Sequence, residues 1–420
     1  MGDRLRFLLN RIKERLWVRP LLMCALSVVG AYLAMIMDRA DIGHLVLDIT
    51  TQSLETLLKI ISASMLVIAT FAVASMVSAY ASASTTATPR SFALIISDDV
   101  SQNALSTFIG AFIFSIVALI ALQNGYYDKT GRFALFILTL ITFAIVIVTF
   151  LAWVDRIARL GRLGATIDKV EEAATAAFKK RRSAPTLRGV PASGHQHGGR
   201  AIYAGAIGYV QRINVTTLQR QAEKSQLRVT VAALPGTFAA PDRVLAYVTA
   251  DSGNLTEIES DQVASAFTIG HYRIFDEDPR FSLIVLSEIA SRALSPAVND
   301  PGTAIDIIGT LIRLFALWNE PLKEGEAQSA VCDRVAVPEI SLRDMFDDAF
   351  TGIARDGAGT IEVVIRLQKA LGSLATIDDA TMREVAAHHA RLALARAEKA
   401  LQLPEDVEVA RKLAAFAKSG

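Results

Sequence analysis

Charged side chains are scarce in this chain. Asp, Glu, Lys and Arg make up 20% of its 420 residues, whereas hydrophobic residues make up 52%, and the mean hydropathy is +0.37. Such a composition is unusual for a soluble enzyme and ordinary for a membrane protein that carries a soluble part. The net charge of +1 provides no global basic field, which argues against nucleic acid as a partner.

Cysteine is equally rare, with two residues in the whole chain. Cys24 lies in an apolar run and Cys332 lies in the distant polar half, so they do not form the paired framework that supports a small secreted domain. The sequence therefore predicts a reduced soluble part that faces the cytoplasm.

Motifs of enzymatic chemistry are missing as well. The chain contains no HExxH pair, no P-loop and no nucleophile elbow, and the adjacent His388 and His389 point to different faces of a helix. An enzyme is the least favoured class, and we expect no catalytic residues, no metal and no cofactor. The polar groups that an enzyme would have to bring into one cleft are His271, Asp276, Asp278, Glu288, Asp300 and Asp306.

The apolar residues are concentrated in the first 155 positions. Segments of about 20 apolar residues are long enough to cross a bilayer, and four charge-free segments approach or exceed that length: Pro20–Met37, Ile60–Ala83, Val100–Tyr127 and Phe133–Val154. The first lacks a convincing cleavage site, which indicates an uncleaved signal anchor. We therefore predict a bundle of four transmembrane helices over residues 1–155.

Basic residues flank this region on both sides. An arginine- and lysine-rich stretch precedes the first span, and further basic residues follow the fourth, while the loop over residues 38–59 is acidic on balance. By the positive-inside rule both termini are cytoplasmic. This pattern predicts a protein of the bacterial inner (cytoplasmic) membrane, with the lipid bilayer as its first partner.

The second span is crowded with Ala, Ser and Thr at helical spacing. Small residues at every fourth position allow two helices to approach closely, which is the commoner reading. A hydroxyl-bearing face without charge also suits the wall of a wide, weakly selective pore. The residues of this candidate pore or packing stripe are Ser75, Ser78, Ala79, Ser82 and Thr86. The absence of ionisable residues inside the spans argues against a proton-coupled transporter.

Beyond the spans the sequence predicts three further parts. Residues 156–199 form a basic helix and a flexible linker, in which the "KKRR" run at 179–182 serves as a lipid-surface anchor. Residues 200–255 form a small α+β module with strands at "AIYAGAIGYVQRI", "LRVTVAAL" and "RVLAYVT", and with a helix capped by Asn214. Residues 256–420 form a mainly α-helical cytoplasmic domain. Its predicted helices are Gln262–Ile269, Phe281–Leu294, Thr303–Trp318, Ser341–Arg355, Thr360–Ile377, Asp379–Leu401 and Asp406–Lys418.

The stretch "SRALSPAVNDPGTAIDI", residues 291–307, interrupts this helical pattern. Pro296 disfavours helical geometry in the preceding Ser295. Asp300 suits a helix N-cap, and Pro301 suits the first helical position. Capping does not explain Asn299 or the flanking Arg292 and Asp306. We call Arg292, Ser295, Pro296, Asn299, Asp300, Pro301 and Asp306 the candidate corner.

Several stretches resemble one family in the same order along the chain. "DPRFSLIVLSEIASRALSPAVNDPGTAID" resembles the signature of the bacterial predicted membrane proteins called domain of unknown function 2254. "YASASTTATPRSF", "ALSTFIGAFIFSIVAL" and "GYVQRINVTTLQRQAEKS" resemble further segments of that family. The resemblance covers nearly the whole chain. It implies the membrane topology and the fold, and the family has no settled activity to lend.

Two functions fit these observations. The first is a homo-oligomeric channel or passive pore with a cytoplasmic regulatory domain, based on the charge-free spans and the small-residue stripe. The second is a membrane-anchored binding or signalling module without transport activity, whose cytoplasmic partner the sequence does not identify.

Overall fold

The computed structural model describes residues 18–37, 47–96, 99–159, 162–192, 199–251 and 257–418. The basic N-terminal stretch that indicated the orientation lies outside these residues, as does part of the predicted linker. The chain divides into two compact units, Met1–Thr166 and Ile167–Gly420.

In its described residues the first unit consists of helices and the short connections between them. Its elements are α1 (Val18–Ile36), α2 (Thr51–Thr86), a short 3-10 turn (Pro89–Ser91), α3 (Phe92–Ile96), α4 (Asp99–Gln123) and α5 (Lys129–Arg159). The four predicted spans fall on α1, α2, α4 and α5. Helix α4 ends four residues before the predicted Tyr127, because Gly125 adopts φ +71° and the Tyr126 amide bonds back to the Ala121 carbonyl, which is a glycine-based helix stop.

Small residues and aromatic rings hold the first unit together. The Ser27 hydroxyl of α1 donates to the Gly110 carbonyl of α4 at 2.8 Å, and a Cβ on Gly110 would meet the Met23 Cβ at 3.1 Å. Trp153 is 1% exposed and makes edge-to-face contacts with Phe71 and Phe108 at centroid distances of 6.2 Å. Close helix contacts at small residues are typical of proteins that fold in a bilayer.

The second unit combines strands with helices. Its first part contains α6 (Leu163–Ser183), β1 (Gly189–Pro191), β2 (Arg200–Tyr203), β3 (Gly208–Ile213), α7 (Val215–Lys224), β4 (Leu227–Val231), β5 (Phe238–Ala239) and β6 (Val244–Ala250). Its second part contains α8 (Glu257–Ala264), β7 (Phe267–Gly270), α9 (Pro279–Ala293), α10 (Pro301–Asn319), β8 (Cys332–Val337), α11 (Leu342–Asp356), α12 (Ile361–Ala375), α13 (Ala380–Ala400) and α14 (Pro404–Leu413). The predicted mixture of helices and a sheet-containing region is confirmed.

The strands form two sheets. The larger has the order β1-β8-β4-β6-β2, and the smaller has the order β5-β3-β7. Strand β8 is parallel to both of its neighbours, β1 and β4, whereas the other pairs are antiparallel. Alternate residues of these strands enter a common apolar core with the buried face of α7, including Val229, Leu245, Val335 and Leu218. As predicted, the side chain of Asn214 caps α7 by accepting from the Thr217 amide at 3.0 Å.

Two local predictions were wrong, and one strand was missed. The stretch "AIYAGAIGYVQRI" is not one strand, since β2 and β3 belong to different sheets and a bend separates them. The predicted helix Gln262–Ile269 ends at Ala264, and the residues after it form β7 because Phe267 pairs with Ile213 of β3. Strand β8 was not predicted at all, because β1 and β4, with which it pairs, are distant in the sequence.

Aromatic rings fill the centre of the helical part. Phe315 of α10 packs against Phe346 and Phe350 of α11 with centroid distances of 4.4 and 5.5 Å. The helices predicted from Phe281 onward all exist, with ends that differ by a few residues, and the last continues into a 3-10 turn (Ala415–Lys418). Their apolar spacing determines which face turns inward, so periodicity alone located them.

Candidate functional site

The C-terminal end of α6 contacts other elements of the second unit through consecutive basic residues. Lys180 Nζ lies 2.7 Å from Glu277 Oε1, and the Arg182 guanidinium donates to the Glu320 carbonyl at the end of α10. Arg181, between them, is 4% exposed. The prediction that this run serves as a lipid-surface anchor was therefore wrong for Arg181, whose side chain is buried in protein.

Arg181 is buried because it lies on the apolar face of its helix. Residues at i, i+4, i+7, i+8 and i+11 share one side of a helix, and the buried residues of α6 at this spacing are Val170, Ala174, Ala177, Phe178 and Arg181. Neither Nε nor Nη1 of Arg181 has a hydrogen-bond acceptor within the described part of the chain. Burial lowers the pKa of Arg181 to about 10, while the Glu277 and Asp278 carboxylates oppose that change, so the group is charged at neutral pH.

Next to Arg181, a buried ion pair joins Arg273 to Asp278. Arg273 Nε and Nη2 donate to Asp278 Oδ2 and Oδ1 at 2.7 and 3.0 Å, which is the two-pronged geometry that makes guanidinium–carboxylate pairs strong. Asp278 is 2% exposed and also caps α9, because its Oδ1 accepts from the Phe281 amide at 3.2 Å. A single carboxylate thus both starts a helix and neutralises a cation.

The turn between β4 and β5 presses against this ion pair. Gly236 adopts φ +93°, and a Cβ added there would lie 2.3 Å from Asp278 Oδ2 and 2.8 Å from Arg273 Nη2. Only glycine combines this left-handed backbone with so close an approach. The sequence "LPGTF" at 234–238 therefore reflects a contact with a charged pair that is remote in sequence.

Arg280 connects these charged residues to two aspartates of helix α11. Arg280 Nε donates to Asp348 Oδ2 at 2.6 Å, and its Nη1 donates to Asp344 Oδ2 at 2.7 Å. Burial raises the pKa of Asp348 although Arg280 works in the opposite direction. For Arg280, burial acts to lower the pKa, and the Asp348 and Asp344 carboxylates outweigh it and raise the pKa.

These side chains form one charged cluster in the second unit. Its members are Lys180, Arg181, Arg212, Arg273, Glu277, Asp278, Arg280, Asp344 and Asp348. Glu277 Oε1 forms ion pairs with Lys180 Nζ at 2.7 Å and with Arg212 Nε at 4.0 Å. The cluster contains five cations and four carboxylates, and within the described residues Nε and Nη1 of Arg181 donate to none of them. The burial of Arg181 was missed from the sequence, because the basic run at 179–182 also fits a topology signal. The spacing from Val170 nevertheless places Arg181 on the buried face of its helix.

The polar groups considered for an enzyme do not share one cleft. Asp278 precedes α9 and Asp300 follows it, and a 15-residue helix is about 22 Å long. His271 and Asp276 are exposed. Among the residues that the structure describes, no group of His, Cys, Asp and Glu side chains is arranged to hold a metal ion.

The candidate corner has the capping geometry that the sequence predicted. Asp300 accepts from the Thr303 amide at 3.1 Å and from the Thr303 hydroxyl at 2.6 Å, and these bonds lower the pKa of Asp300. Asn299 adopts φ +51°, a left-handed conformation that Asn tolerates better than most residues, and its amide donates to the Ser295 carbonyl at 2.9 Å. Backbone geometry therefore accounts for the residue that capping left unexplained.

The rest of the corner is largely surface. Arg292, Pro296, Asn299 and Asp306 are exposed, and Ser295 and Pro301 are half-buried. The neighbouring Val298 is 50% exposed. The corner thus offers accessible polar and apolar atoms, and the prediction that it binds something stays a prediction.

The small-residue stripe of α2 is split between two environments. Ala79 is 9% exposed, as suits a residue that packs inside the unit, and Ser75 is half-buried. Ser78 and Ser82 are exposed, and the side chain of Thr86 lies outside the described part. The stripe therefore does not face one neighbouring helix along its whole length within a single chain.

Apolar helices long enough to span a bilayer define the class of the protein. Five described helices are long and apolar enough to cross a membrane, namely α1, α2, α4, α5 and α10. Apolar helices of spanning length, joined in one chain to a sheet-containing and mainly helical unit, are the architecture of a membrane protein with a polar part.

The chain belongs to the family of predicted membrane proteins DUF2254, whose model matches residues 13–373. This confirms the resemblance that the signature around the candidate corner carried. No curated protein matches the chain, and no solved structure matches it.

Proposed function

We propose that the protein is a homo-oligomeric channel or passive pore of the bacterial inner membrane, whose second unit is a cytoplasmic regulatory domain. The observation that carries this proposal is the exposure of Ser78 on α2. An exposed hydroxyl within a membrane span has a natural role where it faces water or another helix, and little role against lipid tails. In an assembly of several copies, such a ridge lines the shared axis.

A chain with four membrane-spanning helices agrees with this proposal better than a chain with five. The fifth apolar helix, α10, has a hydropathy of 1.3, against 1.7 to 2.9 for the other four. It also contains the exposed Asp306 and Arg313, whose guanidinium is bonded to Glu171. Its Phe315 belongs to the aromatic centre of the helical part. These features are those of a core helix in a soluble domain, so we infer an even number of spans and two cytoplasmic termini.

Cysteine accessibility during ion flux tests the pore directly. Cys24 is replaced by Ser, and Ser78→Cys is compared with Val77→Cys in proteoliposomes, because Val77 is also exposed, at 60%, and lies about 100° around the helix. A charged, water-soluble thiol reagent should modify Ser78→Cys and reduce flux. It should leave Val77→Cys largely unmodified, because that side chain would face lipid. Absence of flux under voltage, gradient or tension, or equal labelling of both positions, would refute the pore.

The second candidate function is a membrane-anchored binding module. The exposed corner favours it, because Val298 and Asn299 present apolar and polar atoms at the surface of the second unit. A photo-crosslinker at position 298 of the full-length protein in membranes would give one discrete adduct if the corner binds a partner. The same crosslinker at exposed Val409, which is 39% exposed, is the control. Diffuse labelling at both positions would count against this function.

A further inference from the structure

Arg181 is a buried cation in the second unit with hydrogen-bond donors that no described residue satisfies. Its side chain is 4% exposed, and its Nε and Nη1 lack acceptors within the described residues. A buried donor without a partner destabilises the fold, and more so when it is charged. A buried unsatisfied group in a native protein calls for an explanation, and a bound ion is one of them.

The neighbouring carboxylates already have their own partners. Glu277 is bonded to Lys180 at 2.7 Å, and Asp278 is bonded to Arg273 through both oxygens. Arg280 likewise occupies Asp344 and Asp348. Each of these carboxylates therefore has a partner other than Arg181, and among the nine named members of the cluster the cations outnumber the carboxylates by one.

We propose that Arg181 is the centre of a binding site for a small oxyanion of the phosphate class. A guanidinium presents planar N–H groups that match the oxygens of phosphate, and one added negative charge would balance five cations against four carboxylates. Lys180 and Arg212 share one carboxylate, Glu277, at 2.7 and 4.0 Å. This proposal does not require that the protein conducts ions.

The phosphate group has two possible sources, a free anion and the headgroup of an anionic lipid. Equilibrium dialysis of the full-length protein in detergent with radiolabelled inorganic phosphate measures the first. Thermal unfolding in nanodiscs of phosphatidylcholine, with and without phosphatidylglycerol, measures the second. Saturable binding of about one phosphate per chain assigns the free anion, and stabilisation by phosphatidylglycerol alone assigns the headgroup.

The variants separate a binding role from a structural one. Arg181→Met removes the N–H groups and keeps a side chain that packs, and Lys179→Met is the control because Lys179 is an exposed lysine of the same helix that lies outside the cluster. We expect Arg181→Met to weaken phosphate or lipid binding about 10- to 100-fold and Lys179→Met to leave it unchanged. Arg181→Lys, which keeps the charge without the planar fork, should fall between them.

Stability without ligand provides the second readout. If Arg181 is a surplus cation, Arg181→Met in phosphate-free buffer should melt at the same temperature as the original protein or at a higher one. A lower melting temperature together with an unchanged phosphate response would overturn the proposal and make Arg181 a structural counter-ion. Absence of any saturable response to phosphate and to phosphatidylglycerol in the original protein would overturn it as well.

Discussion

Glu171 of α6 and Arg313 of α10 are joined by two parallel hydrogen bonds of 2.7 and 2.6 Å. Together with the edge-to-face contact of Phe178 and Trp318 at 5.4 Å, this pair attaches the helix that follows the membrane segments to the long apolar helix of the second unit. The Arg313 side chain is 62% exposed, so solvent weakens the attraction although the geometry is good.

Replacing Arg313 with Met should lower the free energy of unfolding by about 0.5–1 kcal/mol at pH 7. The hydrogen bonds from Arg313 lower the pKa of Glu171 against the opposing effect of burial. A lowered carboxyl pKa stabilises the fold above the unfolded pKa, about 4.3, and this contribution is lost as the pH falls through the folded value. The free energy of unfolding of Arg313→Met, measured by denaturation, should therefore differ less from that of the original protein at pH 4 than at pH 7. A constant difference would contradict the linkage.

Gly236→Ala should be strongly destabilising. The added Cβ would lie 2.3 Å from Asp278 Oδ2, at a backbone φ of +93°, so strain and displacement of the ion pair combine to cost about 2–4 kcal/mol. Gly205→Ala is the matched control, because a Cβ at that position meets nothing within 4 Å. Thermal melts of both variants in one detergent check the prediction, and equal melting temperatures would refute it.

Asp278→Asn separates the charge of Asp278 from its helix cap. The amide oxygen still accepts from the Phe281 amide, whereas Arg273 loses its counter-ion in a buried setting, which costs about 3 kcal/mol or more. Asp300→Asn at the start of α10 keeps a cap in a more exposed setting and should cost only a few tenths of a kcal/mol. Chemical unfolding of the two variants should differ by more than 2 kcal/mol, as roughly the difference of these two costs.

Substitutions at Asn299 distinguish backbone strain from a binding role. Because its φ is +51°, Asn299→Ala should destabilise the fold by about 1 kcal/mol, and Asn299→Gly should not. If Asn299 serves only the backbone, Asn299→Gly also keeps the oligomeric state in size-exclusion chromatography. Loss of assembly in both variants, with unchanged melting, would instead make the side chain an interface residue.

His389 should make stability depend on pH between about 4 and 6.5. Its side chain is 3% exposed, and burial lowers its pKa to about 4 although Asp347 opposes that change. The unfolded state then binds a proton that the folded state does not, so stability is complete above the unfolded pKa of about 6.5 and falls as the pH drops towards 4. The loss should reach about 3 kcal/mol at pH 4, and His389→Gln should abolish this slope in unfolding titrations. A parallel slope in the variant would refute the assignment.

Elements that depend on local sequence patterns were predicted correctly. Elements whose structure depends on a partner distant in the sequence were missed. Apolar length and spacing located α1, α2, α4 and α5 and the helices from α9 onward, and capping chemistry predicted the roles of Asn214 and Asp300. Strands β7 and β8 were missed because their pairing with β3, β1 and β4 is not encoded in their own residues. The charged cluster was missed for the same reason, since Arg181, Gly236 and Asp278 come from three separate stretches of the chain.

The pairing of Gly189 with Cys332 imposes an order of events during synthesis. At ribosomal rates of about 5–20 residues per second, β1 waits roughly 7–30 s after its own translation before β8 exists to pair with it. The apolar segments before residue 166 are synthesised earlier and are available for insertion during that interval. A chain that stops before Cys332 would therefore reach the membrane with an open sheet edge, so nonsense truncations between β6 and Cys332 should yield inserted but protease-sensitive products.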